Sequence, residues 1–136
     1  MQSATQRRST VTEQTPGASE RSFPVVLCVD DESNPLRIRQ YVLQKAGFKV
    51  LTAESGLNAL KVLASSAVDI VVSDHLMPDM TGAQLVGKVK ALRPELPFVL
   101  LSGVNELPEG AELADAFLSK LEGPEAMIGK IRQLLR

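Results

Sequence analysis

Residues 23–31 read Phe-Pro-Val-Val-Leu-Cys-Val-Asp-Asp. The apolar run is short and no polar residue alternates through it, which suits a strand buried on both faces. Such strands belong to parallel sheets with helices packed on either side. The run then stops at two acids, Asp30 and Asp31. Working outward, four further short apolar runs follow, at Lys49–Thr52, Ile70–Ser73, Phe98–Leu101 and Ala116–Leu118. Stretches with helical periodicity separate them, so the pattern predicts an α/β domain with five parallel strands joined by crossover helices.

The helix signals between these strands are specific. Pro35 suits a first helical turn, where its missing N–H would be unpaired anyway, and Ile38, Val42 and Ala46 then fall on one face before Gly47 ends the helix. Ser55 is a plausible N-cap for a second helix running to Ser65, with Leu60, Leu63 and Ala64 inward. Thr81-Gly82-Ala83-Gln84 reads as a capping box for a third, with Leu85, Val89 and Leu92 inward. Gly123-Pro124 opens the last, with Ile128, Ile131 and Leu135 on one side. Only 13 residues, Gly103 to Asp115, separate the last two strands. Pro108 and Gly110 shorten any fourth helix there to about two turns around Gly110–Ala114.

The chain has 136 residues, 44% hydrophobic and 23% charged, which is enough for one core and too few for two domains. Residues 1–22 are rich in Ser, Thr, Gln, Glu and Arg and predict a disordered N-terminal tail ahead of a domain at residues 23–136. With 15 Lys+Arg against 16 Asp+Glu and no basic run, nothing attracts nucleic acid or a membrane surface. The single cysteine, Cys28, lies inside the first apolar run and reads as core, and no segment resembles a signal peptide or a membrane span. A soluble protein of the cytoplasm is expected.

In an open α/β sheet, ligands bind beyond the carboxyl ends of the strands. Four strands end there in polar residues: the first in Asp30-Asp31, the third in Asp74, the fourth in Ser102, the fifth in Lys120. Three gathered carboxylates repel one another and favour a hard cation with oxygen ligands. Mg²⁺ suits that role because it commonly bridges carboxylates to a phosphoryl group, whose other oxygens a hydroxyl and an ammonium could neutralise.

Taken together, Val29-Asp30-Asp31-Glu32, Ser73-Asp74-His75-Leu76-Met77-Pro78, Leu101-Ser102-Gly103 and the isolated Lys120 resemble the receiver domain of bacterial two-component response regulators. The resemblance covers residues 24–136 and implies a stand-alone, doubly wound (βα)5 sheet of flavodoxin-like order 2-1-3-4-5, with the fourth helix shortened. It implies that Asp74 takes a phosphoryl group from the phosphohistidine of a sensor histidine kinase or phosphotransfer protein. By the same likeness Asp30, Asp31, Asp74 and the backbone carbonyl of Leu76 hold Mg²⁺, and Lys120 contacts the phosphoryl group. Ser102 and Phe117 then form the switch that changes a protein-binding surface for a downstream partner.

Two features depart from the family pattern. Lys120 is followed by Leu121 where receivers usually carry proline, and the short Ser102–Lys120 interval alters the region that usually forms the output surface. Leu76 and Val104 are apolar at positions that, by the same likeness, flank the path of a hydrolytic water, which predicts slow autodephosphorylation. Self-phosphorylation without turnover of an external substrate is expected of such a domain. His75 reads as a solvated loop residue. The competing functions are a pseudo-receiver that binds partners without phosphorylation, and an aspartyl-phosphate phosphatase or phosphotransferase. The latter commonly has a second acid two residues after the nucleophile, where this chain has Leu76.

Overall fold

A computed structural model describes residues 23–103 and 108–136. The predicted tail and Val104 lie outside the described residues. Five strands, β1 (Val25–Val29), β2 (Lys49–Ala53), β3 (Ile70–Asp74), β4 (Phe98–Ser102) and β5 (Ala116–Ser119), form one parallel sheet of order β2-β1-β3-β4-β5. The predicted fold class and strand order are therefore observed. Side chains along β1, β3 and β4 are buried throughout, as uninterrupted apolar runs require.

Alternate residues of each strand feed two cores. Leu27, Val29, Val71, Phe98 and Leu100 point into one, covered by α2 (Gly56–Ser65) and α3 (Gly82–Leu92). Val26, Cys28, Ile70, Val72, Val99 and Leu101 point into the other, covered by α1 (Ser33–Lys45) and α4 (Gly123–Leu134). Each fully buried aliphatic side chain contributes about 1.5–3 kcal/mol of hydrophobic stabilisation. Burial drives the Cys28 thiol up to about 12, so it stays protonated and inert.

The local signals act where expected. Ser55 Oγ accepts the Asn58 N–H at 3.0 Å, and Thr81 and Gln84 exchange the two bonds of a capping box. Gly47 and Gly123 end and open helices at φ +100° and +84°, a region that favours glycine. Individual inward faces differ from expectation. On α1 the buried residues are Leu36 and Leu43, with Val42 and Ala46 half-buried and Ile38 65% exposed. Ala64 and Leu92 also face solvent. The sheet lies under a narrower stripe of each helix than the apolar spacing suggests.

The crossover from β4 to β5 departs from the predicted two-turn helix. Its described part holds a single 3-10 turn, Ala111–Leu113, whose only buried residue is Ala111. Gly110 precedes it at φ +87°, a left-handed conformation that cannot belong to a right-handed helix. Pro108 and Gly110 thus shorten the segment further than their effect on helix length alone implies. Among the described residues there are four α-helices.

Candidate functional site

The parallel register aligns the carboxyl ends of the strands, and the polar residues that follow β1, β3, β4 and β5 meet there. Val29 pairs with Ser73, Asp74 with Leu101, and Ser102 with Ser119. Asp30 and Asp74 are thereby next to each other across β1 and β3, and Ser102 lies one residue beyond Asp74's partner. Oxygens of Asp30, Asp31 and Asp74 all lie within 4.8 Å of one another.

The three acids differ in their surroundings. Asp30 is 1% exposed, and both its oxygens are engaged. Oδ1 accepts the Glu32 N–H at 2.9 Å, and Oδ2 lies 3.3 Å from Nη1 of Arg39 on α1. Asp31 is half-buried at the mouth, with no hydrogen bond or ion pair to any described residue. Asp74 is buried, and Lys120 Nζ lies 2.6 Å from its Oδ1. That approach is an ion pair without full hydrogen-bond alignment, for Oδ1 has no partner meeting hydrogen-bond geometry.

Burial raises the Asp74 carboxyl above its ordinary value of 3.8, and the Lys120 ammonium opposes that rise. Asp30 adds to it by repulsion, and Arg39 works against it from farther away. Three carboxylates, two of them buried, with their oxygens within 4.8 Å of one another are the environment that a hard cation satisfies. The donor set, all oxygen, therefore fits Mg²⁺.

The backbone fixes Asp74 from both sides. His75 N–H donates to Leu101 O at 2.9 Å, and Gly82 N–H donates to His75 O at 2.8 Å. A Cβ on Gly82 would stand 2.5 Å from Asp74 O, 2.5 Å from Leu100 Cδ1 and 2.9 Å from His75 Cα. The loop after the acid can fold back this tightly because residue 82 lacks a side chain. The capping-box reading concerned Thr81 and Gln84 and left this role of Gly82 unnoticed, although a glycine just inside a helix is itself a signal of close approach.

His75 is not the solvated residue expected. It is half-buried, and its Nδ1 accepts the Ala83 N–H at 3.3 Å, satisfying an otherwise unpaired donor in the first turn of α3. Arg39 was also missed. Its spacing from Asp30 reveals nothing in sequence, because the pairing depends on how α1 lies against the acids.

The remaining predicted residues fall as follows. Ser102 is buried at the end of β4. Phe117 is half-buried against the α2–α3 core, opposite Leu100. The Leu76 side chain is 67% exposed on the loop after Asp74. Lys120 opens a 3-10 turn, Lys120–Glu122, whose capping box is made by Ser119 and Glu122.

The family model of the response regulator receiver domain matches residues 26–132. The chain belongs to that family. This receiver is 32% identical over 114 residues to the transcriptional regulatory protein GlrR of Escherichia coli K12, a match covering 81% of this chain and 26% of GlrR. It is 36% identical over 106 residues to the two-component response regulator ORR5 of Oryza sativa, covering 71% of this chain and 79% of that protein. The receiver thus spans about a quarter of one curated relative and most of another. Among solved structures it superposes on TrrA of Thermotoga maritima in complex with Mg²⁺-BeF, with TM-score 0.79 and 28% identity over 83% of this chain and 100% of that one. It also superposes on the chemotaxis protein CheY4 of Vibrio cholerae, with TM-score 0.77 and 29% identity over 83% of this chain and 99% of that chain. Receivers of two-component systems act in phosphorelay signalling rather than as enzymes of metabolism. Among the described residues no helix is long and apolar enough to cross a membrane.

Proposed function

We propose that this receiver accepts a phosphoryl group on Asp74 from a phosphohistidine of a sensor histidine kinase or phosphotransfer protein, and that the modified domain then binds a downstream protein. The observation that carries the proposal is the setting of Asp74: buried, with its Oδ1 2.6 Å from the Lys120 ammonium and two more carboxylates within 4.8 Å.

In the reaction, an Asp74 carboxylate oxygen forms the new bond to phosphorus while the phosphorus–nitrogen bond to the donor histidine breaks, and the leaving imidazole takes a proton. Lys120 opposes the rise that burial imposes on the Asp74 carboxyl and stands ready to pair with a phosphoryl oxygen. Asp30, Asp31, Asp74 and the Leu76 carbonyl would hold Mg²⁺, which when bound neutralises charge that develops on the transferring group. Ser102 would supply a hydroxyl to the phosphoryl group, and Phe117, on the strand that leads to Lys120, would report its movement through packing. Leu76 offers no polar atom to orient a hydrolytic water, so the phosphoryl group is expected to persist. The polar replacement Leu76→Asn is expected to shorten its lifetime.

The test is incubation with Mg²⁺ and acetyl phosphate followed by intact mass. The expected result is a gain of one phosphoryl group, absent in Asp74→Asn. A protein that gains no mass is a pseudo-receiver, and one that consumes donor far beyond stoichiometry is a phosphatase. Either result overturns the proposal.

A further inference from the structure

Arg39 is unusual in its position. Its side chain is 11% exposed, and it reaches from the middle of α1 to the acid at the end of β1. In the same cluster Lys120 Nζ lies 2.6 Å from Asp74 Oδ1. Three carboxylates, Asp30, Asp31 and Asp74, therefore face two fixed cations, and each cation is paired to a different buried acid. Lys120 is accounted for by the phosphoryl group it is proposed to meet. Arg39 is not, because it holds Asp30, whose other oxygen is already occupied by the Glu32 N–H.

We infer that Arg39 is a built-in counter-cation of the acid site, competing with the divalent ion for Asp30 and setting how much Mg²⁺ the receiver needs. This inference rests on the reading that the trio binds Mg²⁺. Without the ion, Asp30 is a nearly inaccessible carboxylate, and such a group requires a compensating charge. Arg39 supplies it. When a doubly charged ion enters the same cluster, the guanidinium becomes a like charge in a partly dehydrated site, where repulsion is screened less than at the surface. Arg39 therefore stabilises the ion-free protein and opposes ion binding by the same interaction.

The experiment is titration of the full chain with MgCl₂ at fixed ionic strength, read by calorimetry and by the thermal unfolding midpoint. Wild type is compared with Arg39→Gln, Arg39→Lys and Asp31→Asn. Arg39→Gln is expected to lower the midpoint without Mg²⁺, to bind Mg²⁺ about tenfold more tightly and to gain more thermal stability from it than wild type does. Arg39→Lys keeps the charge and is expected to stay within about threefold of wild-type affinity. Arg39→Gln binding Mg²⁺ equally or more weakly overturns the inference. If Arg39→Gln does not fold without Mg²⁺, rescue of folding by Mg²⁺ supports the inference and failure of rescue overturns it. Asp31→Asn separates the two levels. Binding lost in that variant confirms the site, so an unchanged affinity in Arg39→Gln then counts against Arg39 alone. Absence of wild-type binding removes both.

Discussion

The two ends of the candidate site are built in opposite ways. Asp74 completes a fully buried strand, and the loop after it is clamped by backbone bonds to β4 and to the start of α3. Lys120 follows a half-buried edge strand and opens a 3-10 turn held by its own capping box, beside Leu121 at 83% exposure. The acceptor end is over-determined by its neighbours, whereas the ammonium end is positioned by a local cap and its ion pair with Asp74. Rigidity lies where the new bond is proposed to form, and adjustability lies where a charge must follow the phosphoryl group.

The most drastic way to break this contrast is to remove the acceptor's charge. Asp74→Asn should abolish phosphoryl uptake entirely and yet stabilise the fold at neutral pH. Because burial raises the Asp74 carboxyl above 3.8, the native state holds this proton more tightly than the unfolded state does. The contribution of Asp74 is thus most favourable below 3.8 and is lost as pH rises through the raised value. The stability difference between Asp74→Asn and wild type should accordingly grow with pH from about 3.8 upward, measured by urea unfolding at a series of pH values. A difference that shrinks over that range would show that Lys120 outweighs burial.

Next in size is Gly82→Ala. The new methyl group meets backbone on two sides and Leu100 on the third, and neither backbone segment can swing away as a side chain would. A loss of about 1–3 kcal/mol is expected in chemical denaturation, together with slower phosphoryl uptake, because the displaced atoms belong to Asp74 and His75. Gly56→Ala is the control. There the closest atom is the flexible Met80 Sδ, which can rotate away, so uptake should be unaffected.

A smaller effect should come from His75. His75→Leu removes the acceptor for the Ala83 N–H and should cost about 1 kcal/mol, as loss of a helix cap does. His75→Asn places a carbonyl oxygen near the position of Nδ1 and should recover most of that loss. Equal unfolding midpoints for the Leu and Asn variants would mean that the imidazole contributes only bulk.

Legibility in the sequence follows the same division. The strands were readable because burial on both faces leaves an unbroken apolar run, and the acids were readable because four motifs fall at successive strand ends. Arg39, His75 and Gly82 were not readable in their roles. Each acts on a residue brought to it by the packing of a helix against the sheet, and helical spacing cannot report which side chain turns toward a strand end. Ile38 and Leu92 illustrate the limit: both match the apolar period, and both are mostly exposed because the sheet covers less of each helix than the period implies. The β4–β5 crossover was legible as short. Its 3-10 form depends on the left-handed conformation of Gly110, which the residue type permits without requiring.

The smallest change tests the adjustable end. Ser119 Oγ accepts the Leu121 N–H at 3.1 Å, and Ser119 N–H donates to Glu122 at 3.0 Å, so the backbone of the turn carrying Lys120 is capped from within. Receivers usually place proline after this lysine, which restricts the backbone covalently; here a hydrogen-bonded cap takes that place. Ser119→Ala removes half of the cap on an exposed turn and should cost no more than about 0.5 kcal/mol of global stability. Its effect on chemistry should be proportionally larger. With the turn loosened, Lys120 spends less time at Asp74, and uptake from acetyl phosphate should slow a few-fold at an almost unchanged unfolding midpoint. Lys120→Gln, which removes the charge itself, sets the lower limit of that rate. A Ser119→Ala rate equal to wild type would show that attraction to Asp74 alone places the ammonium and that the turn merely follows.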